Sequence, residues 1–181
     1  MSQKETLNRI FYYLTGALAE NVTATWTNGT GTLAGMYFAI GWDAIDNQPD
    51  KIPFKYPISC IIDLPEGSGY NKVMETQGYP SGTFIEDYTF SFWVVRKLSG
   101  NRNSLFGTST EKGIMELTED LLFLLTGTED AMKLVISGSS YTDSVVYPIA
   151  IEEGSGVDSS GALYARARRF DLTYRRLELD Y

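Results

Sequence analysis

The sequence predicts an α+β fold, in which a mostly antiparallel sheet carries two amphipathic helices packed on one face, together with hairpin extensions. Three observations lead to this prediction. Aromatic residues alternate with polar residues along Phe84–Leu98, and a period of two is typical of a half-buried strand. Leucines recur at helical spacing in Thr110–Thr126. A second long strand pattern follows at Leu163–Leu179, and a length of 181 residues fits a single domain, 1–181.

The first third of the chain predicts a helix followed by a β-hairpin. Ser2–Glu5 has the spacing of a capping box, and apolar residues then recur at helical spacing, so helix 1 is expected to span Gln3–Glu20. Asn28-Gly29 is the preferred pair for a type I′ turn, which predicts a hairpin over Thr23–Leu33. Three glycines weaken the second arm of this hairpin, so a flexible loop is the alternative.

Three short strands are predicted before the long strand, at Met36–Ile40, Tyr56–Leu64 and Asn71–Thr76. Two segments, Pro65–Gly82 and Glu152–Gly161, lack apolar periodicity and are rich in glycine. We therefore expect both to be exposed loops, with Asn71–Thr76 as at most a short strand within the first.

The long strand leads into a loop and then into the second helix. Ser99–Ser104 is polar and is expected to be the loop. Thr108 and Glu111 have capping-box spacing at the start of helix 2, and Gly127 fits the position just after its end. The apolar stripes of the two helices should be buried, namely Leu7, Ile10, Phe11, Leu14, Leu117, Leu121 and Leu125.

Two short strands and one long strand are predicted in the remainder of the chain. Ala131–Ile136 and Val145–Ile151 are short and apolar. In Leu163–Leu179 the apolar residues change phase twice, which predicts β-bulges near Arg168-Arg169 and Arg175-Arg176.

The composition argues against several classes of function. The chain has no histidine, which removes the commonest general base and metal ligand, and its single cysteine excludes an intrachain disulfide. The formal net charge of −8 disfavours duplex binding through phosphate neutralisation. No apolar run reaches about 18 residues and the N-terminus lacks a signal-peptide core, so we expect no membrane span and synthesis in the cytosol. We assign no catalytic, metal-binding or cofactor-binding residue, although a hydrolase that uses two facing carboxylates stays open.

An arginine cluster in the final strand is the candidate functional feature. It holds a third of the 15 basic residues of the chain: Arg166, Arg168, Arg169, Arg175 and Arg176. Arg166 and Arg168 are expected to share one face, and the first bulge to aim Arg169 elsewhere. One interpretation is pairing with carboxylates of the same subunit. The other is an interface with an acidic patch on a second subunit, because a bidentate guanidinium fixes orientation as well as charge.

The order of elements carries a resemblance to a known family. An amphipathic helix is followed by a strand that begins with Tyr56-Pro57-Ile58, and later by the long strand Tyr88–Val95. Another amphipathic helix, two strands and a closing strand with Arg169–Tyr174 complete the order. In pattern and spacing, from about Thr6 to Leu177, the chain resembles the tail terminator proteins of long-tailed bacteriophages, also called tail completion or head-to-tail joining proteins.

The resemblance implies a structural virion protein without enzymatic activity, which forms a homo-oligomeric, hexameric ring. Its implied partners are the tail tube protein and the neck or connector protein, and DNA would pass through the ring without specific binding. It implies assembly in the host cytoplasm and a place in the tail or neck of the virion, with no membrane. The segment Pro65–Gly82 is then expected to face a partner through Glu66, Tyr70 and Tyr79. The alternatives are another neck or head-completion protein, or a small histidine-free hydrolase.

Overall fold

The structure, a computed structural model, contains three α-helices and eight strands in the part of the chain that it describes. The helices are α1 (Gln3–Thr15), α2 (Asn101–Phe106) and α3 (Ile114–Thr126). The strands are β1 (Thr27–Asn28), β2 (Tyr37–Ile40), β3 (Ile58–Asp63), β4 (Tyr70–Met74), β5 (Thr83–Ser99), β6 (Ser144–Glu152), β7 (Asp158–Ser160) and β8 (Leu163–Leu179). The residues described are 3–18, 26–41, 56–65, 70–74, 83–127, 144–152, 158–160 and 163–179, with side chains for 3–18, 26–41, 56–65, 87–100, 102–127 and 166–174.

The strands form one mostly antiparallel sheet, so the predicted α+β class is confirmed. Their order across the sheet is β1-β2-β3-β5-β8-β6, and only the pairing of β2 with β3 is parallel among the described strands. β5 lies at the centre of the sheet. On one side β8 pairs with its whole length, and on the other side β3 and β4 pair with successive halves.

Alternate residues of β5 and β8 build the hydrophobic core. Phe90 and Phe92 of β5 are fully buried, and they lie directly opposite Leu172 and Phe170 of β8. Burying each such side chain contributes about 1.5–3 kcal/mol. Side chains of α1 and α3 belong to the same cluster, but the prediction that both helices pack on one face of the sheet stays a prediction. Of the predicted helix positions Leu7 is half-buried, and the others are buried: Ile10, Phe11, Leu14, Leu117, Leu121 and Leu125.

β8 pairs with β5 in one unbroken register along all of its residues. The bulges predicted near Arg168-Arg169 and Arg175-Arg176 are therefore wrong. The apolar phase changes because arginines occupy register positions in line with core residues, while the backbone itself does not slip. An irregularity occurs instead in β6, whose register with β8 shifts between Val146 and Ala150. Pro148 lies within this shift and has no N–H group to donate to the ladder.

α1 is shorter than predicted, because it ends at Thr15 and not at Glu20. Gly16 adopts a left-handed φ of 71°, which terminates the helix, and its N–H donates to the carbonyl of Tyr12 at 2.7 Å. The capping-box residue Ser2 lies outside the described residues.

The hairpin predicted around Asn28-Gly29 is wrong in its second arm. Gly31–Leu33 forms a 3-10 turn, and the strand that pairs with β1 is β2. Gly29 is packed and not at a turn tip, since a Cβ there would lie 2.8 Å from the ring of Phe38. The side-chain oxygen of Asn28 accepts a hydrogen bond from the N–H of Gly35 at 2.9 Å, which closes the connection.

The segment Ser99–Ser104, predicted to be a loop, contributes most of α2 instead. Gly100 turns the chain out of β5 with a φ of 83°. Ser104 is fully buried, and its Oγ lies 3.3 Å from the carbonyl oxygen of Leu98 and 3.2 Å from that of Gly100. The polar residues of this segment therefore bond to backbone groups at a strand end, which their composition alone does not reveal.

α3 begins at Ile114, four residues after the predicted start at Thr110. The hydroxyl oxygen of Thr108 accepts hydrogen bonds from the N–H groups of Thr110 and Glu111 at 3.3 and 3.1 Å. It thereby closes a turn ahead of the helix and does not cap the helix itself. Gly127 follows the helix as predicted, but with a right-handed φ of −90°.

Both segments predicted to be loops contain a strand. β4 lies within Pro65–Gly82 and pairs with β5, and β7 lies within Glu152–Gly161 and pairs with β8. The predicted strand Ala131–Ile136 lies outside the described residues. Four predicted strands are confirmed with small shifts at their ends: Met36–Ile40, Tyr56–Leu64, Asn71–Thr76 and Val145–Ile151.

Candidate interaction surface

The register of β8 divides its arginines between the two sides of the sheet. Arg166 and Arg168 share one side, as predicted, because alternate residues of a strand point the same way. Arg169 lies on the opposite side by ordinary alternation, with no bulge to redirect it. Arg166 stands directly opposite Arg96 of β5, and Arg168 stands opposite Val94.

Arg169 is paired within the subunit. Its Nε donates to Oδ1 of Asp171 at 2.9 Å and its Nη2 donates to Oδ2 at 2.7 Å, which is a bidentate pair. Its guanidinium carbon also lies 5.6 Å from the centre of the Trp93 ring on β5, within the range of a cation–π contact. Both members of the ion pair are mostly buried, with 21% and 19% of their side chains exposed. For Arg169, the geometry supports pairing with a carboxylate of the same subunit.

Arg168 has a different environment. Its Nε and Nη1 are buried, and they have no hydrogen-bond acceptor in the part of the chain that the structure describes. A guanidinium is always charged and carries five N–H donors. Leaving a buried donor unpaired costs about 1–3 kcal/mol, and more for a charged group. Among the arginines with described side chains, Arg168 is therefore the best suited to bind a carboxylate from outside the subunit.

Arg96 is a charged residue in the core that the sequence interpretation missed. It is 1% exposed, and its three kinds of nitrogen all donate hydrogen bonds. These run from Nε to the carbonyl of Lys112 at 2.9 Å, from Nη1 to the carbonyl of Pro57 at 3.3 Å, and from Nη2 to the carboxylate of Glu111 at 3.0 Å. The sequence does indicate that Arg96 is buried, because it lies two residues after Val94 and therefore on the core-facing side of β5.

Arg96 stabilises the turn between α2 and α3. Gly107 and Lys112 form a β-bridge across this turn, and Gly107 and Gly113 approach so closely that a side chain on either would overlap backbone atoms. Lys112 extends this network to α3, because its ammonium group is hydrogen-bonded to Asp120 and Glu116. Both hydrogen bonds raise the pKa of the ammonium group, and the one with Asp120 has the larger effect. The turn is therefore held by interactions on both sides although much of it is exposed.

Arg175 and Arg176 lie in β8, with side chains outside the described part. Their register places them opposite Asp87 and Glu86 of β5, respectively. Opposite charges at facing positions of an antiparallel pair stabilise a sheet, so the backbone register favours pairing within the subunit at this end.

The predicted partner-facing residues stay predictions. Glu66 and Tyr79 lie outside the described residues. Tyr70 is the first residue of β4, opposite Tyr88 of β5, and its side chain is likewise outside the described part.

Two kinds of chemistry can be checked among the described residues, metal binding and a reactive thiol. No group of three or more Asp, Glu, Cys or His side chains that could hold a metal ion occurs among the described residues. Burial raises the pKa of the Cys60 thiol, so the thiol stays protonated and unreactive. None of the helices within the described ranges is long and apolar enough to cross a membrane.

No protein-family model matches the chain, and no curated protein matches it.

Proposed function

We propose that the protein is a structural subunit that assembles with copies of itself into a ring and acts as a tail terminator of a long-tailed bacteriophage. The ring would cap the tail tube and join it to the neck connector, with six subunits expected from the family that the element order resembles. The observation that carries the self-assembly is the guanidinium of Arg168, whose buried Nε and Nη1 have no acceptor within the described residues.

A second subunit can supply the acceptor that Arg168 lacks. The chain carries 23 acidic against 15 basic residues, so every copy has carboxylates in excess. The Arg168 side chain as a whole is half-buried, so part of it is accessible from outside the subunit. A bidentate pair across the boundary would then hold the two copies at a defined angle, as closure of a ring requires.

The test is the mass of the protein in solution, measured by light scattering at increasing salt, together with negative-stain imaging. We expect rings for the parent protein, and dissociation at lower salt for Arg168→Gln, because the paired charge is lost. Lys4→Gln is the matched control, since it removes an exposed positive charge from α1 at the other end of the chain. A parent protein that stays a compact monomer with a closed pocket would overturn the proposal and favour the hydrolase alternative.

The place of the ring in a virion needs a separate test. Neighbouring genes for a tail tube and a tape-measure protein would support the tail terminator function. Neighbouring genes for a portal or head-completion protein, with rings still formed, would instead favour another joint of the neck.

A further inference from the structure

Two large aromatic side chains are exposed on α2 and α3, the helices that contact β8 and its arginine cluster. Phe106 of α2 is 61% exposed and Phe123 of α3 is 62% exposed, whereas most aromatic side chains of β5 and β8 with described positions are buried. Exposed aromatic side chains are typical anchors of protein–protein contacts.

Each of these phenylalanines lies one helical turn after an exposed charged residue. Arg102 precedes Phe106 in α2, and Glu119 precedes Phe123 in α3. Residues four apart share one face of a helix, so the two faces have the same layout with opposite charges. Neither Arg102 nor Glu119 makes an ion pair in the described structure, in contrast to Arg169 and Lys112, whose charges are paired within the subunit.

Both faces are held in place by the fold. α2 packs against β5 and β8, which fixes the position of the helix that carries Arg102 and Phe106. The ring of Phe123 lies against Gly127, where a Cβ would come within 2.6 Å of two ring carbons. A contact made by preformed groups loses less conformational entropy on binding.

We propose that the Arg102–Phe106 face of one copy binds the Glu119–Phe123 face of a second copy. This contact rests on the self-assembly proposed above and assigns it two surfaces. The two aromatic rings would pack on each other, and the guanidinium of Arg102 would pair with the carboxylate of Glu119. Because the two faces are different patches of one chain, the contact is head-to-tail, and repetition of it produces a closed ring or an open filament.

Charge reversal tests the contact. In Arg102→Glu and in Glu119→Arg, two like charges meet in every contact, and their repulsion opposes association. We expect each variant to weaken self-association more than about tenfold in sedimentation velocity. The double variant, with both reversals, should assemble like the parent protein, because each contact regains one charge of each sign.

An equimolar mixture of the two single variants gives a sharper result. The acidic α2 face of Arg102→Glu fits the basic α3 face of Glu119→Arg, and the reverse contact is complementary as well. The mixture should therefore assemble although each variant alone does not. Rescue in the mixture shows that the two residues meet across a boundary between copies, whereas failure of the mixture and of the double variant to assemble overturns the contact.

The aromatic part of the contact has its own control. Phe106→Ser and Phe123→Ser should each weaken association, whereas Leu64→Ser removes an exposed apolar side chain, 49% exposed in the parent, and should leave association unchanged. Unfolding curves in urea should coincide for all these variants, since each changed side chain is exposed. Equal loss of association in Leu64→Ser would overturn the specific role of the phenylalanines.

The outcomes also separate this contact from the proposed function. If rings form but ignore both charge reversals, the contact is wrong and the ring function stands. If the reversals abolish assembly and the mixture restores it, but the assembled form is an open filament, the contact stands and the tail terminator function fails.

Discussion

Arg96 and Arg168 lie on the same side of two paired strands, yet their surroundings differ completely. Arg96 of β5 has acceptors for Nε and Nη2 in the turn between α2 and α3, and an acceptor for Nη1 in the carbonyl of Pro57 just before β3. Arg168 of β8 has two buried donors without an acceptor in the described residues. A buried guanidinium therefore stabilises the fold when the same chain supplies oxygen acceptors for its N–H groups. When the chain supplies no such acceptors, the guanidinium is a candidate for binding a partner.

Replacing Arg96 by alanine should have the largest effect on the stability of the subunit. The carbonyl of Lys112 loses the Nε donor, the carbonyl of Pro57 keeps only the N–H of Lys97, and a cavity remains at a site that is 1% exposed. We expect a loss of about 3–5 kcal/mol in the free energy of unfolding, measured in urea. Glu111→Gln is the matched control, because its half-exposed carboxylate should contribute no more than about 1 kcal/mol. A small loss for Arg96→Ala would mean that the turn is held without it.

Leu121→Ala provides the apolar reference for this comparison. Leu121 is fully buried in the cluster that α3 shares with the sheet. The expected loss is about 2–5 kcal/mol, from lost burial and the cavity that is left. The same urea titration measures it, and a loss within about 0.5 kcal/mol, as at a surface position, would contradict the core assignment.

Asp171→Asn tests the intermediate case, Arg169, whose partner lies two residues away on the same strand. The amide keeps one hydrogen-bond acceptor but loses the charge and the bidentate geometry. Since both side chains keep about a fifth of their surface exposed, we expect a loss of about 1–2 kcal/mol. Ser99→Ala, on an exposed position of β5, serves as the control, and an Asp171→Asn curve that coincides with it would show that the pair does not stabilise the fold.

Arg168→Met should have the smallest effect on the isolated subunit, and of the opposite sign. Methionine fills a similar volume without unpaired donors, so the free energy of unfolding should stay equal or rise by up to about 1 kcal/mol. Self-association, measured on the same samples by light scattering, should weaken. A loss of stability above about 1 kcal/mol would mean that Arg168 has a partner within its own subunit.

The sequence predicts those parts of the fold whose signal is local. The alternation along β5 and the leucine spacing in α3 are direct results of burial, so both elements were found near their true bounds. The phase of β8 was misinterpreted because Arg166 and Arg168 occupy positions in line with Phe170, which imitates a backbone slip. α2 was missed because Ser104 bonds to backbone groups at the end of β5, and polar composition does not distinguish this from a loop.

The candidate site was only partly visible for a similar reason. Five arginines in one strand can be counted in the sequence, but their roles depend on neighbours that only the register brings close. Trp93 reaches Arg169 from β5, and Glu111 reaches Arg96 from a turn 15 residues later. The match between the two exposed faces of α2 and α3 depends on burial of the surrounding residues, which is a property of the folded chain.

The long ladder between β5 and β8 also determines how the chain reaches its fold. The hydroxyls of Thr89 and Thr173 lie 2.9 Å apart in this ladder, although 84 residues separate them along the chain. Closing so long a loop costs entropy before any pairing offsets it, so folding is expected to be slow, on the millisecond-to-second scale typical of non-local sheets. Until β8 pairs with β5, one edge of β5 is unpaired, and the partly folded chain can pair there with another partly folded chain. The yield of refolded protein should therefore fall as its concentration rises, in competition with the ordered assembly of finished subunits.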